Sequence, residues 1–319
     1  MPPRGGAAVG GRVFVGPNTL TERSAEVPQV LLYADNKPFV LRSPTVNAEV
    51  DDVERKARVR KLGYNVRAGV YLFSRYGLPQ SRERALILAV RKGLAIHQLE
   101  DLWEGYTVRP KATTVRAAID GLPRLRPGSR NRKDPFHTCP AFVLRTSYER
   151  LKAIPRDGGD WRDLMKQPKT RKLLIPAMRR HIEKECLGSH SDAYGRLWWD
   201  RPAVTIKREC SHVGNGRYSH PSQSRLLSVR EMAILQGFPK DYVFADAGIT
   251  KMYRQVGDAV PPLISYQVAH LVSWILTGRK PSPARLALPG SHLKASDIVR
   301  VRQPGRKLHV RKMRSGRAM

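Results

Sequence analysis

The sequence has few cysteines, few acidic residues and no long hydrophobic run, and each shortage excludes a class of protein. Three cysteines in 319 residues, with no Cys-x-x-Cys pair, argue against a disulfide framework or a bound metal and favour a reducing cytoplasm. The apolar stretch at residues 267–276 is too short to span a membrane and is interrupted by His270 and Ser273. Residues 1–11 lack the apolar core of a secretory signal. We therefore predict a cytoplasmic protein without membrane contact.

The scarcity of acidic residues leaves a strongly basic chain. Lys and Arg number 58 against 27 Asp and Glu, a net charge of +31, and residues 279–319 alone hold twelve basic residues and one acidic residue. Hydrophobic residues make up 41% of the chain, which is enough for a folded core. This balance predicts a polyanionic partner, because neutralising phosphates releases condensed counterions. Charge alone suits a ribosomal or nucleoid protein equally well.

Residues 228–237 predict a capped helix. Ser228 and Glu231 have the spacing of a capping box, in which each side chain bonds the backbone amide of the other residue. Gly237, before Phe-Pro, predicts the end of this helix.

A second helix is predicted between Pro261 and Gly278, because its apolar residues recur at helical spacing. Residues 253–260, between the two helices, are interpreted as a loop. Gly257 in this loop would allow another backbone to approach closely.

Polar residues alternate in the segment that follows a Gly-Leu-Pro turn. Gln80, Arg82 and Arg84 are each separated by one residue, so their side chains fall on one face if the segment is extended. The apolar run at residues 85–90 then predicts a buried strand. An amide and two guanidiniums on one face suit hydrogen bonds to phosphates and base edges, although an isolated pattern of this kind more often marks solvated arginines on an edge strand.

These segments resemble motifs of the DNA cytosine-5 methyltransferases. Residues 76–84 match the family's Tyr-Gly-x-Pro-Gln-x-Arg-x-Arg motif, and residues 225–239 match Arg-x-x-(Ser/Thr)-x-Arg-Glu followed by Leu-Gln-Gly-Phe-Pro. Residues 255–262 match Gln-x-Gly-Asn-x-Val-Pro-Pro, with Asp258 in place of the Asn. The resemblance implies an α/β fold, with a partial Rossmann-like domain that uses S-adenosylmethionine and a small irregular or β target recognition domain.

The resemblance also implies roles for individual residues. In such enzymes the target cytosine leaves the stack of bases; Arg84 would contact its O2 atom, and Arg82 would help to hold it. Asp258 would either disfavour the carboxylate of S-adenosylmethionine or lie harmlessly beside an arginine. The implied contacts with the target base or the double-stranded DNA are Gln80, Arg82, Arg84, Arg225, Ser228 and Arg230, and the implied cofactor-binding residues are Gly257, Asp258, Ala259 and Val260.

The resemblance covers about residues 57–278 and suggests a division of the chain. It also implies a bacterial, nucleoid-associated protein of a restriction-modification system. We predict an undetermined leader at 1–56, the late part of the methyltransferase domain at 57–95, the target recognition domain at 96–222, a return to the methyltransferase domain at 223–278, and a basic disordered tail at 279–319.

Three segments that the family's chemistry needs are absent from this sequence. The resembled enzymes attack C6 of the cytosine with a cysteine from Pro-Cys-Gln, hydrogen-bond the base with a glutamate from Glu-Asn-Val, and hold the cofactor with Phe-x-Gly-x-Gly. No cysteine precedes Gln80, and we interpret Cys139, Cys186 and Cys210 as packed or idle thiols. We therefore predict neither a catalytic residue nor a metal ligand in this chain.

Three functions are compatible with these observations. The first is a C-terminal fragment or subunit of a split cytosine-5 methyltransferase, which a second chain completes with cofactor site, cysteine and glutamate. The second is a catalytically inactive member of the family that still binds DNA. The third is a basic nucleoid-type DNA-binding protein whose resemblance is accidental, which four motif matches in the family's order disfavour.

Overall fold

The computed structural model describes residues 13–15, 30–34, 60–183, 192–245 and 248–301. Most of the predicted leader, and Cys186, lie outside the described residues. Helices and strands are interspersed along the chain, which confirms the predicted α/β class. The strands are β1 (Val13–Val15), β2 (Val30–Ala34), β3 (Tyr64–Leu72), β4 (Gln80–Ser81), β5 (Glu83–Arg91), β6 (Tyr106–Val108), β7 (Ala203–Val204) and β8 (Ile298–Arg300). The α-helices are α1 (Leu99–Leu102), α2 (Val115–Ile119), α3 (Arg145–Ala153), α4 (Pro168–Arg171), α5 (Pro176–Glu183), α6 (Val229–Leu235), α7 (Ile249–Asp258) and α8 (Pro262–Thr277).

The largest sheet among the described residues has the strand order β1-β2-β5-β3. Strands β3 and β5 are antiparallel, in register from Tyr64 opposite Arg91 to Leu72 opposite Glu83. Strand β3 runs unbroken through Gly69, and the Tyr71 ring covers the bare backbone of this glycine on the same face. The other side of β5 pairs antiparallel with β2, so residues from the first fifty extend the sheet beyond β5.

Helix α8 packs on this sheet and forms one hydrophobic core with it. The helix has the predicted extent, and Gly278 ends it in the left-handed region at φ 71°, donating its N–H to the Trp274 carbonyl. The core side chains from α8 recur at helical spacing and meet those of β5. They are Leu263, Ile264, Val268, Leu271, Val272 and Ile275 from the helix, and Leu86, Leu88 and Val90 from the strand.

A second core surrounds α6, all seven residues of which are buried. The predicted capping box is present: the Ser228 hydroxyl accepts from the Glu231 amide at 3.1 Å, and the Glu231 carboxylate accepts from the Ser228 amide at 2.7 Å. Gly237 follows the helix at φ 88°. A β-carbon there would lie 2.9 Å from Leu78 and 3.1 Å from Leu263, so glycine also allows the two cores to meet.

The loop predicted at residues 253–260 is wrong for most of its length. Helix α7 continues to Asp258, because Met252, Tyr253 and Val256 form a buried face at helical spacing. Gly257 still serves the close approach predicted for it: an added β-carbon would lie 2.3 Å from the Lys207 carbonyl oxygen. The approaching backbone therefore meets a helix and not a loop.

The disordered tail predicted at residues 279–319 is wrong as far as residue 301. Leu286 and Leu293 are buried in the core beneath α8, and β8 pairs antiparallel with β6. Single apolar anchors and one strand pairing hold this segment, and neither gives a periodic signal in the sequence. Residues 302–319 lie outside the described residues.

Residues Ile249–Thr277 are long and apolar enough to cross a membrane by length and composition. In the structure they form two separate helices, and the apolar faces of both are buried in the two cores. This segment is accounted for by packing within the protein.

The buried His292 predicts that acid destabilises the packed C-terminal segment. Its side chain is 6% exposed, and neither ring nitrogen has a hydrogen-bond partner among the described residues. Burial and the nearby Lys240 lower the pKa of His292 to about 4. The unfolded chain, with an ordinary histidine pKa, therefore binds a proton first as the pH falls, and roughly 3 kcal/mol of stability should be lost between about pH 6.5 and pH 4.

Urea unfolding at pH 7 and at pH 4.5 measures this loss. We expect His292→Gln to flatten the pH dependence, leaving the parts contributed by the buried His220, whose pKa burial also lowers to about 4, and by carboxyl groups with a lowered pKa such as Glu231. The control His97→Gln, on a ring stacked against Trp274, should keep the wild-type slope. Equal slopes for His292→Gln and wild type would refute the assignment.

Candidate functional site

The side chain of Gln80 connects the segments that form the candidate site. Its side chain is fully buried. The amide nitrogen donates to the Gln236 side-chain oxygen at 2.8 Å and to the Leu235 carbonyl at 3.3 Å, and the amide oxygen accepts from the Ile206 backbone N–H at 3.2 Å. Parallel pairing of β4 with β7 brings the segment around Ile206 into reach. One amide therefore links three distant stretches of chain.

Arg82 and Arg84 lie beside Gln80 on the same buried face, as the alternation predicted. Residues 80, 82 and 84 are buried, whereas Ser81 and Glu83 are exposed. Arg82 is 2% exposed and donates from Nη1 to the Ile206 carbonyl at 2.9 Å. Arg84 donates from Nη1 to the Glu83 carbonyl at 2.6 Å.

The charge on Arg82 is only partly satisfied by these contacts. Its buried Nε has no hydrogen-bond partner among the described residues. Burial, and then the positive charge of Arg84, lower the pKa of Arg82 to about 10, so that the guanidinium is still charged at neutral pH. Two neighbouring guanidiniums in a desolvated position suit a carbonyl oxygen or an anion, to which they would donate charge-assisted hydrogen bonds.

The structure places Arg225 and Ser228 inside the fold and not on a surface. The Arg225 guanidinium forms two 2.7 Å hydrogen bonds with the Glu231 carboxylate, and both residues are fully buried. Burial alone would raise the pKa of Glu231, but the hydrogen bonds and charge of Arg225 hold it at about 2. Ser228 completes the same network as the helix cap.

Arg230 also forms internal contacts. Its Nε donates to the Asp134 carboxylate at 2.6 Å, and Nη1 donates to the Tyr242 carbonyl at 2.7 Å. The Phe136 carbonyl accepts from its backbone N–H. Arg230 therefore fixes the segment around residue 134 to α6, and the DNA contacts predicted for Arg225, Ser228 and Arg230 form no part of the function proposed below.

The four residues predicted to bind the cofactor lie at the end of α7 and are connected to Gln80. Gln236, which accepts from Gln80, donates to the Ala259 carbonyl at 2.8 Å. Asp258 accepts from Arg208 at 2.9 Å, so this carboxylate lies beside an arginine, one of the two positions the sequence left open. Gly257 is packed against the Lys207 backbone, whereas Asp258 and Val260 are exposed. These residues can form one wall of a cofactor site.

Gln236 and Ile206 are the partners that sequence reasoning missed. Gln236 lies in the Leu-Gln-Gly-Phe-Pro string, which matched a family motif and predicted a helix end but was assigned no role for its glutamine. A glutamine directly before the terminating glycine was the available signal. Ile206 contributes only its backbone N–H and carbonyl. Because other residue types have the same groups, this contact could not be predicted from the sequence.

The described cysteines are poor nucleophiles. Cys139 and Cys210 are buried free thiols, and each donates to a backbone carbonyl, Cys139 to that of Arg126 and Cys210 to that of Tyr253. Burial raises the pKa of Cys139, and raises that of Cys210 to about 12. Both thiols therefore remain protonated at neutral pH, and the thiolate is the reactive form.

The Arg225–Glu231 pair predicts a large loss of stability when one partner is removed. Glu231→Gln leaves the Arg225 guanidinium buried without a counter-charge, which should cost about 3–5 kcal/mol of unfolding free energy. The control Glu149→Gln removes the exposed Arg145 pair and should cost less than about 1 kcal/mol. Urea denaturation of both variants measures the difference. Equal losses of unfolding free energy would show that the buried pair stabilises the fold no more than the exposed pair.

Comparisons with known proteins agree with the motifs in this site. Residues 53–274 match the family model described as C-5 cytosine-specific DNA methylase. The chain is similar to the Type II methylase M.HgiDII of Herpetosiphon aurantiacus, with 33% identity covering 69% of this chain and 58% of that protein. It is also similar to the Type II methyltransferase M1.HphI of Haemophilus parahaemolyticus, with 28% identity covering 73% of this chain and 54% of that protein.

Solved structures give a weaker likeness. The Dnmt2 methyltransferase of S. pombe superimposes with a TM-score of 0.41 at 16% identity, covering 80% of this chain and 66% of that chain, which is too low to establish a shared architecture. The chain spans little more than half of the length of the two bacterial relatives. The family match extends over more than half of the sequence, and the chain belongs to the C-5 cytosine-specific DNA methylase family.

Proposed function

We propose that this chain is the base-holding half of an enzyme that methylates cytosine at C5 in double-stranded DNA. The observation that supports this most is the buried face on which Gln80, Arg82 and Arg84 lie together. In a member of this family, such a face suits the carbonyl oxygen of a base that has left the stack. The bacterial relatives are named as type II methylases, and we infer the same reaction for the enzyme that contains this chain.

The residues of the site would act by positioning and by charge. Arg84 would donate to O2 of the extruded cytosine, and Arg82 would keep the position cationic and hold the Ile206 backbone against it. A carbonyl oxygen that gains negative charge during attack on the ring would be stabilised by this pair. Gln80 would act as a positioning residue through its three hydrogen bonds.

S-adenosylmethionine would supply the methyl group. Gly257, Asp258, Ala259 and Val260 would line one side of its site, with Arg208 neutralising the charge of Asp258. The Gln236–Ala259 hydrogen bond connects this wall to the base-holding face. A displacement of the cofactor wall would therefore be transmitted to the base-holding face, and the reverse.

We propose that the nucleophile comes from a second chain. The sequence contains no Pro-Cys-Gln, Glu-Asn-Val or Phe-x-Gly-x-Gly segment, and Cys139 and Cys210 are buried with raised pKa values. A polypeptide with these three segments would provide the thiolate, the glutamate and the cofactor turn. A neighbouring gene that encodes them would favour this arrangement over the alternative of an inactive member that only binds DNA. A nucleoid-type protein of accidental resemblance is no longer an alternative, given the family match.

The division of the chain is part of the same proposal. We assign residues 57–95 and 223–278 to a partial Rossmann-like methyltransferase domain, residues 96–222 to target recognition, and residues 1–56 to a leader of undetermined role. The basic charge supports a cytoplasmic, nucleoid-associated enzyme.

Methyl transfer from labelled S-adenosylmethionine to DNA tests the proposal. The purified chain alone should transfer none. Addition of a polypeptide with the three missing segments, encoded beside this gene, should restore transfer. Arg84→Lys, which cannot donate two parallel hydrogen bonds, should lower the restored rate by about 10- to 100-fold, whereas the exposed control Arg67→Lys should not. Methyl transfer by the purified chain alone would contradict the proposal that a second chain supplies the nucleophile.

A further inference from the structure

The most exposed large hydrophobic residue of the described chain, Val143, is followed directly by a second exposed one, Leu144. Val143 is 98% exposed and Leu144 is 62% exposed. Single exposed apolar side chains are common on a folded protein, whereas contiguous ones are typical of an interaction surface. We name Val143 and Leu144 the apolar tip.

The apolar tip is held at both ends. Before it, the Phe142 ring packs against Tyr148 with centroids 5.6 Å apart. After it, the Leu144 carbonyl begins α3 by accepting from the Ser147 N–H at 3.0 Å. The backbone is therefore fixed while the two side chains project, and little conformational entropy is lost when a partner covers them.

A basic loop lies directly beside the apolar tip. The Cys139 N–H donates to the Ser129 carbonyl at 3.3 Å, and a β-carbon on Gly128 would lie 2.9 Å from Ala141, two residues before the tip. The basic loop is exposed at every one of its cationic residues. These are Arg124, Arg126, Arg130, Arg132 and Lys133.

The acidic residues near this surface are already paired. Asp134 lies against Arg230, and Glu149 lies against Arg145. The cations of the basic loop thus face solvent with little local compensation, which suits a polyanion. A partner for this surface needs phosphates at the loop and an apolar group at the tip.

Duplex DNA offers this combination in its major groove. Each thymine places a C5-methyl group there, and small apolar side chains contact it. We propose that Val143 and Leu144 contact thymine methyl groups in the major groove while the basic loop binds the flanking phosphates. The apolar tip is thus a determinant of sequence preference. This inference rests on the proposed function, because it takes duplex DNA as the substrate.

Removal of the thymine methyl group tests the proposal. Two random-sequence duplex pools are prepared, one with thymine and one with uracil at every such position, and compete for the purified chain. We expect the thymine pool to be recovered about fourfold over the uracil pool, the effect of burying roughly one methyl group. The double variant Val143→Ser with Leu144→Ser should recover both pools equally. Its fold should be unchanged, because both side chains are exposed.

Two further measurements separate the possible outcomes. The control Val70→Ser, a half-exposed position on β3, should keep the thymine preference. The slope of affinity against salt should be the same in all variants, because the phosphate contacts remain. Equal recovery of both pools by the wild type would overturn this proposal alone, even if the tip variant bound DNA weakly. Failure to bind either pool would overturn the proposed function as well.

Discussion

The hydrogen bonds of one buried amide, that of Gln80, connect the parts on which this structure depends. It bonds to Ile206 on one side and to Leu235 and Gln236 on the other. Gln236 extends the connection to Ala259. A buried amide with its donors and acceptor in use is strongly position-specific, because any displacement leaves polar groups unpaired. The region proposed for target recognition, the proposed base-holding face and the proposed cofactor wall are thereby held in one arrangement.

Buried charges are used in two different ways around this centre. Arg225 is neutralised by Glu231 within the fold, so the pair fixes α6 and has no capacity left for a ligand. Arg82 is also buried, yet it has only backbone contacts in the described residues and an unpaired Nε. An incompletely satisfied buried cation is costly for stability. Such a cost is understandable if a substrate oxygen completes the site.

The sequence predicted the parts of the fold whose signals are local. The capping box at Ser228, the span of α8 and the alternation from Gln80 to Arg84 each follow from residue type and spacing, and each is present. The sequence did not predict the parts of the fold whose conformation depends on packing between distant segments. Helix α7 passes through Gly257 because its buried face packs in the core, with the Lys207 backbone against the glycine, and residues 279–301 are folded through isolated anchors such as Leu286. Arg225 was predicted at the DNA because of its motif, while Glu231 of the same motif was predicted to cap the helix and not to pair with Arg225.

The central claim is that this chain holds the target base while a nucleophile from outside it attacks. A duplex that contains 5-fluorocytosine tests this, because fluorine at C5 cannot leave as a proton and the bond from cysteine to C6 persists. The duplex, S-adenosylmethionine, this chain and the completing polypeptide are mixed, and the adduct is located by peptide mass spectrometry. The account predicts an adduct on the cysteine of the completing polypeptide and none on this chain. An adduct on Cys139, Cys186 or Cys210 would contradict it.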